Sequence, residues 1–288
     1  MTPQVPPPAP SVGKLEKYVL AYANREGVAV TRVRHWISFM MLSGALDRND
    51  DGAHGPRFIV KGGVALELRL PTRARATDDL DIVAVCDEND LVAALDAALR
   101  EPYQDCTFSR RADTRQLGDN AVRVWVQIAY RSQRWATIQV DLARPDTIDT
   151  EIERLPGIPM GVFGLTGPAD VVCLSLRYHV AQKFHGMTKV PYHRGENDRF
   201  RDAIDLLLLK DLISPNELAA VRDACVETFR VRAEHAWPPQ ITLQDHWRGP
   251  LRTMAVSVGL PTTSLEDAQH EIQSLLDAII QAPTSVDP

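Results

Sequence analysis

The stretch of sequence that decides the fold is FIVKGGVALELRLPTRARATDDLDIVAV, residues 58–85. It opens with a β-prone run over 58–60, stops at Gly62-Gly63, and continues into a helical segment over 64–70. Glycine lets a backbone approach an anion closely, and a helix N-terminus presents free N–H groups. Lys61 adds a positive charge beside them. This part of the stretch therefore predicts a phosphate-binding turn between a strand and a helix.

A second strand is predicted over 80–85, and acidic residues mark its beginning. Side chains alternate between the faces of a strand, so Asp79 and Asp81 share one face while Leu80 and Ile82 enter the core. Two carboxylates on one face repel each other unless a cation lies between them. Two-metal sites use this arrangement, and all-oxygen ligands favour Mg²⁺, with Mn²⁺ as an alternative. The pattern predicts a metal site on this strand.

A third carboxylate is offered by a predicted antiparallel hairpin, whose strands cover 122–130 and 137–142. On the second strand, Ile138 and Val140 are expected to face the core, which leaves Asp141 on the opposite face. If this strand lies next to the Asp79/Asp81 strand, Asp141 reaches the same metal ions and helps to activate an attacking hydroxyl. Taken alone, Asp141 is equally explained as a loop or capping residue.

Composition limits the classes of protein. The chain has 288 residues, a net charge of -6 and a sequence pI of about 5.8, so any nucleic-acid binding must rely on a local basic surface. No apolar run approaches the roughly 20 residues that a membrane span needs, and we expect no membrane partner and a cytoplasmic location. The cysteines are too scattered for a disulfide framework or a zinc cluster: Cys86, Cys106, Cys173 and Cys225.

The order of predicted elements indicates an α+β fold with two lobes. Helices are predicted before the central α/β region, and only helices after residue 145. We therefore predict a disordered proline-rich tail over 1–10, an α/β lobe with a mixed sheet over 11–150, and a helical lobe over 151–288. The predicted helices cover 12–23, 31–46, 64–70, 91–99, 168–187, 198–212, 215–231 and 265–280.

The central motifs resemble a known superfamily. K-G-G-x-A-L-x-L-R from Lys61, followed by T-x-D-L-D from Thr77, is similar to the polymerase-β-like nucleotidyltransferases. In detail the chain resembles the AbiEii/AbiGii branch, the toxins of type IV toxin–antitoxin pairs, and within it the MenT group. The resemblance spans residues 12–280 and includes the later segments VAQKFHG at 180–186, NDRFRDAIDL at 197–206 and AWPP at 236–239.

The resemblance implies a role for each matching residue. Many members have Gly-Ser where this chain has Gly62-Gly63, so the backbone and Lys61 must carry more of the phosphate binding. The branch varies at the third carboxylate, so Asp141 rests on the strand argument alone. The implied roles are metal binding by Asp79 and Asp81, triphosphate binding by Lys61, Gly62 and Gly63, phosphate contact by Lys183 from the helical lobe, and completion of the far wall of the site by Asp205.

The same resemblance implies that NMP, expected to come from a pyrimidine NTP, is transferred to the 3′ end of tRNA, which blocks translation. Basic residues near the motifs agree with an RNA partner, and Trp125 or Tyr192 could stack on bases. Alternatively, the arginines only balance nearby acids. The basic residues are Arg69, Arg73 and Arg75 before Asp79, Arg110, Arg111 and Arg115 in a predicted loop, and His193, Arg194, Arg199 and Arg201 in the helical lobe.

Thr77 is a candidate regulatory site, since it is expected to share a strand face with Asp79 and Asp81. Phosphorylation would add about -1.5 to -2 charges beside the two carboxylates and repel the triphosphate. The family implies a cognate antitoxin, and a kinase antitoxin is the hypothesis for Thr77.

Two other functions are compatible with these motifs. One is a nucleotidyltransferase that acts on a small molecule or a protein, which labelled NTP would distinguish from RNA transfer. The other is an inactive binding module, which predicts that Asp79→Ala changes no phenotype.

Overall fold

A computed structural model describes residues 5–48, 55–85, 90–118, 120–146, 151–189 and 197–283. The chain divides into two compact units. The first contains Met1–Pro71, Ala76–Pro145 and Ile152–Cys173, and the second contains Thr72–Arg75, Asp146–Glu151 and Leu174–Pro288. The predicted α+β class with a mixed sheet and a helical C-terminal part is confirmed.

The first unit is built on a seven-stranded sheet in the order β3-β4-β5-β2-β1-β7-β6. β1 is antiparallel to β2 and parallel to β7, and β2 is parallel to β5. β5 is antiparallel to β4, and β4 to β3. The strands are β1 (Phe58–Lys61), β2 (Asp79–Ala84), β3 (Cys106–Gln116), β4 (Ala121–Tyr130), β5 (Gln133–Ala143), β6 (Ile152–Pro156) and β7 (Asp170–Leu174).

Four α-helices accompany this sheet in the described part of the first unit. α1 begins after Ser11, whose hydroxyl accepts a hydrogen bond from the Lys14 amide, and ends at Gly27 in the left-handed conformation. α2 is almost entirely buried between residues 33 and 46, and so supplies much of the core. The helices are α1 (Val12–Glu26), α2 (Val30–Asp47), α3 (Gly62–Arg69) and α4 (Leu91–Ala98).

The described part of the second unit contains five α-helices. α5 packs against α6 and α7, and α9 packs against both α6 and α7. The α6 residues 203–209 are all buried, which agrees with the leucine-rich sequence there. None of the described helices is both long and apolar enough to cross a membrane. The helices are α5 (Leu176–Thr188), α6 (Phe200–Leu209), α7 (Leu218–Arg232), α8 (Arg248–Ser257) and α9 (Leu265–Gln281).

Four elements differ from the sequence predictions, and one of them is α8, which was not predicted. The helix expected over 168–187 is instead β7 followed by α5, because a short, fully buried apolar run has no periodicity that separates strand from helix. The loop expected to hold Arg110, Arg111 and Arg115 is the edge strand β3, whose exposed polar side chains hide the strand signal. β6 was not predicted either. Because residues 152–173 join the sheet, the first unit extends past residue 150.

The N-terminal segment also differs from the predicted disordered tail. Residues 1–4 lie outside the described residues, but residues 5–10 pack on the first unit. Ala9 is completely buried, and its carbonyl accepts a 2.6 Å hydrogen bond from the Tyr130 hydroxyl. The Pro7 carbonyl accepts one from Tyr18. Proline lacks an amide donor but keeps its carbonyl, so carbonyl acceptors and the burial of Ala9 hold this segment in place.

Candidate active site

The glycine pair lies directly against the acidic strand. Gly62 begins α3 with φ +63°, in the left-handed region that glycine adopts without strain. A Cβ atom on Gly62 would overlap the Asp81 carboxylate, so the carboxylate would have to move to admit any side chain there. The absence of a side chain at Gly62 therefore allows the Asp81 carboxylate to approach the backbone at the start of a helix.

Thr77 forms the second contact with the glycine pair. A Cβ atom on Gly63 would lie 2.5 Å from the Thr77 hydroxyl oxygen. That hydroxyl donates a 2.7 Å hydrogen bond to Oδ1 of Asp79, and Thr77 is only 5% exposed. On α2, Nδ1 of His35 lies 3.2 Å from the Thr77 carbonyl oxygen. Thr77 thus orients the carboxylate of Asp79 through this hydrogen bond.

The strand register places charged residues in one row across the sheet. Asp81 on β2 is the Cα partner of Lys61 on β1 and, on its other side, of Asp141 on β5. Asp141 is in turn the partner of Arg123 on β4. Partner residues on neighbouring strands point to the same face. Asp79 shares this face through alternation, so the structure brings Lys61, Asp79, Asp81 and Asp141 together.

Arg123 is a member of this site that the sequence predictions missed. Its Nε donates to Oδ1 of Asp141 and its Nη2 to Oδ2, both at 2.8 Å. These hydrogen bonds raise the pKa of the Arg123 guanidinium, and the charges of Asp79 and Asp81 raise it further. A register shift between Ile128 and Ala129 hides this pairing, because counting back from the turn would place Arg123 opposite Val140 and not opposite Asp141.

The oxygen ligands at Asp79 and Asp81 suit a hard divalent cation such as Mg²⁺. The Asp81 carboxylate occupies the position that a side chain on Gly62 would take, so glycine is required beside it. The three carboxylates do not, however, form a cluster. Among the residues that the structure describes, no three His, Cys, Asp or Glu side chains form a group that could hold a metal ion. The residues therefore fit a metal at Asp79 and Asp81, whereas Asp141 is engaged by Arg123.

Lys183 and Asp205 lie together in the second unit, in a buried network of charges. Nζ of Lys183, on α5, lies 2.8 Å from both Asp202 and Asp205 on α6. Arg75 donates two further hydrogen bonds to Asp205, at 2.8 and 3.0 Å. Burial alone would raise the pKa of Asp205, but the charges of Lys183 and Arg75 lower it to about 2. Although burial opposes it, the two acids raise the pKa of Lys183 above its usual value. Lys183 and Arg75 thus offset the charges of the two acids, and Arg199 adds a third positive charge 3.5 Å from Asp202.

Comparison with known families agrees with this arrangement. The family model described as "Nucleotidyl transferase AbiEii toxin, Type IV TA system" matches residues 44–283, which include both sets of predicted site residues. The chain belongs to the AbiEii nucleotidyltransferase toxin family. The match begins inside α2, so α1 precedes the matched region of this AbiEii protein.

A solved structure of a nucleotidyltransferase toxin has a similar fold. MenT4, the nucleotidyltransferase toxin Rv2826c from Mycobacterium tuberculosis H37Rv, is 14% identical, with a TM-score of 0.60 over 95% of this chain and 90% of its own. A putative nucleotidyltransferase from H. pylori is 12% identical, with a TM-score of 0.41 over 85% of this chain and 93% of its own. No curated protein sequence matches the chain. At these identities the comparison shows the fold alone.

The basic residues predicted to face RNA are mostly paired with acids in this AbiEii protein. The structure thus favours charge balancing over a free basic surface for these arginines. Trp125 is half-buried on β4, and Arg115 is exposed on β3. Tyr192, His193 and Arg194 lie outside the described residues. The pairs are Arg69–Glu153, Arg73–Asp211, Arg75–Asp205, Arg110–Asp96, Arg111–Asp113 and Arg199–Asp202, and Arg201 lies over the Phe200 ring.

Proposed function

We propose that this AbiEii-family protein transfers a nucleoside monophosphate from an NTP, with a pyrimidine as the expected base, to the 3′ end of tRNA. The observation that supports this most is the contact between Asp81 and Gly62. It puts a carboxylate that we propose to bind metal beside the first turn of α3, whose free N–H groups would bind phosphate oxygens. A nucleotidyltransferase needs both features at the same place, because the ion and the amides share one triphosphate.

The proposed reaction forms a bond between the acceptor hydroxyl oxygen and the α-phosphorus, and breaks the bond from that phosphorus to pyrophosphate. The hydroxyl proton passes to water, and pyrophosphate leaves with the electron pair of the broken bond. A Mg²⁺ or Mn²⁺ ion, when bound, would neutralise charge on the phosphates. Asp79 and Asp81 would hold the ion, with Asp141 beside them as the third carboxylate of the site.

Other parts of the chain would hold the nucleotide. Lys61 and Gly63 would meet the triphosphate at the start of α3. Lys183 is proposed to contact phosphates and Asp205 to complete the site. Lys183 can do so only by giving up one of its carboxylate partners, since it binds both Asp202 and Asp205.

A cognate antitoxin is expected for a member of this family, and we propose Thr77 as its target if it is a kinase. A phosphate on Thr77 would remove the hydroxyl that donates to Asp79 and place negative charge beside it. Because Thr77 is buried, the structure around it must move and expose the hydroxyl before a kinase can reach it. Wild-type activity in Thr77→Glu would contradict this role.

The test is incubation of the purified chain with Mg²⁺, total tRNA and each α-³²P-labelled NTP. Asp79→Ala removes a proposed metal ligand, and Asp277→Ala, an exposed aspartate on α9, serves as the matched control. We expect label on tRNA with the wild-type chain and Asp277→Ala, and none with Asp79→Ala. Treatment with a 3′ exonuclease should release the label first, which locates it at the 3′ end.

Other outcomes would favour other functions. Metal-dependent label on a protein or a small molecule, with none on RNA, would show that this molecule is the acceptor and that tRNA is not. A complete absence of label from all acceptors, in protein shown by mass spectrometry to be unphosphorylated, would favour an inactive binding module.

A further inference from the structure

Asp141 and Asp79 have different surroundings, although they lie on neighbouring strands. Asp79 accepts one hydrogen bond from a neutral hydroxyl, that of Thr77. Asp141 faces a guanidinium that donates to both of its oxygens. A paired Arg–carboxylate fork is among the strongest hydrogen-bonded ion pairs in proteins, since two parallel bonds add to the charge attraction. The third carboxylate of the row is therefore already neutralised within the protein.

Arg123 is itself held in place. With the Gln139 amide in the orientation that satisfies its neighbours, the amide oxygen accepts from Nε and Nη2 of Arg123 at 3.1 and 3.2 Å. The side chains of Arg123 and Asp141 are 24% and 16% exposed, so both lie mostly within the protein. Gln139 is the residue two before Asp141 on the same face of β5. The Arg123 guanidinium is therefore held over Asp141 by the pairing of β4 with β5 and by its hydrogen bonds to Gln139 and Asp141.

We propose that Arg123 is a built-in counter-cation for Asp141, which keeps Asp141 out of the metal coordination shell and leaves Asp79 and Asp81 as the carboxylates that bind the ion. The guanidinium occupies the facing lone pairs of both Asp141 oxygens and repels a second cation. Arg123 is thus a positioning residue, which acts through Asp141. This inference rests on the proposed metal-dependent transfer and refines its ligand set.

Among the described residues, no three carboxylates form a group that could hold a metal ion, which agrees with a role for Asp141 outside the metal site. The row from β1 to β4 reads Lys61, Asp81, Asp141 and Arg123, so the acidic residues have a basic residue at each end. Arg123 would thus supply positive charge that a second metal ion supplies in a two-metal site. Lys61, Arg123 and one bound metal ion would together neutralise the three carboxylates.

The test measures binding of Mn²⁺ alone to the full chain, without nucleotide or RNA, from the electron paramagnetic resonance signal of free Mn²⁺. Asp79→Asn and Asp141→Asn are matched substitutions that keep the shape of the side chain and remove its charge. We expect Asp79→Asn to weaken Mn²⁺ binding at least about tenfold, and Asp141→Asn to change it less than about threefold. Equal weakening by the two variants would overturn the inference, as would a wild-type chain that takes up no Mn²⁺.

Arg123→Gln supplies the complementary measurement, with thermal unfolding as the check that it folds. Freed from Arg123, Asp141 should bind metal, so we expect about tenfold tighter Mn²⁺ binding or one additional bound ion. Adding Asp141→Asn to Arg123→Gln should restore wild-type binding. Unchanged Mn²⁺ binding in a folded Arg123→Gln chain would contradict the proposal. If that variant does not fold, the comparison of Asp79→Asn with Asp141→Asn still decides.

The Mn²⁺ measurement is independent of the acceptor. Label on tRNA combined with equal weakening by the two Asn variants would remove this inference and leave the proposed function standing. The expected difference in Mn²⁺ binding between the two Asn variants, without label on any RNA, would support the role of Arg123 and remove tRNA as the acceptor.

Discussion

At the scale of single residues, the site depends on side chains that are small or absent. Gly62 has two separate reasons to be glycine: its φ of +63° and the carboxylate that occupies the place of its Cβ atom. Gly27, at the end of α1, has only the first reason, since its φ is +67° and nothing lies within 4 Å of its Cβ position. The two glycines therefore separate the cost of backbone conformation from the cost of steric contact.

We expect Gly27→Ala to lower the free energy of unfolding by about 1 kcal/mol, from backbone strain, and to leave nucleotidyl transfer unchanged. Gly62→Ala should cost more than this and abolish transfer, because its methyl group must displace Asp81. Urea unfolding and the labelling assay measure the two effects. Full activity in Gly62→Ala would show that the Asp81 position is not needed.

At the scale of secondary-structure elements, the sequence was informative where side chains alternate. The alternation over Asp79–Ala84 predicted the buried Leu80 and Ile82 and the half-buried acids between them, as the structure has them. The same alternation on β5 placed Asp141 on that face. Alternation describes one strand at a time, however, so it could not show that Arg123 on the adjacent strand binds Asp141. That pairing depends on hairpin register.

The network of ion pairs between α5 and α6 could not be predicted from the sequence either. Lys183 was expected to be a phosphate contact, and Asp205 was expected to line the site, but nothing in their spacing indicated that they bind each other. Arg75 is 130 residues away from Asp205 along the chain. Long-range ion pairs of this kind follow from tertiary packing, which periodicity does not describe.

We expect Lys183→Met to lower the free energy of unfolding by about 3 kcal/mol, because it leaves the buried Asp202 and Asp205 with less positive charge. Lys17→Met, at an exposed position on α1, is the matched control and should change stability by less than about 0.5 kcal/mol. Chemical denaturation of both variants provides the measurement. Unchanged stability in Lys183→Met, together with lost transfer, would assign Lys183 to phosphate binding instead of to the network.

At the scale of the whole molecule, we expect the free energy of unfolding to depend on pH through the titration of one buried histidine, His185. Burial, with the positive charge of Arg232 nearby, lowers the pKa of His185 from 6.5 to about 4. The unfolded chain therefore binds more protons than the folded chain between these two values. This contribution to stability is complete above pH 6.5 and is lost as the pH falls towards 4.

We expect the wild-type chain to lose about 2 kcal/mol more than His185→Gln when the pH is lowered from 7 to 4. The comparison cancels most contributions from other titrating groups. Unfolding free energies from urea titrations at several pH values would measure the difference. Parallel curves for the two proteins would show that His185 keeps an ordinary pKa in the folded state.

The chain order of the two units has a practical consequence for work with parts of this protein. β7 is parallel to β1 and follows it by more than 100 residues, after the chain has contributed Asp146–Glu151 to the second unit. A fragment that stops at residue 150 would leave the buried strand β1 with one unpaired side. Exposed apolar strand edges pair with other chains. Such a fragment should aggregate, so each unit is best studied inside the intact polypeptide.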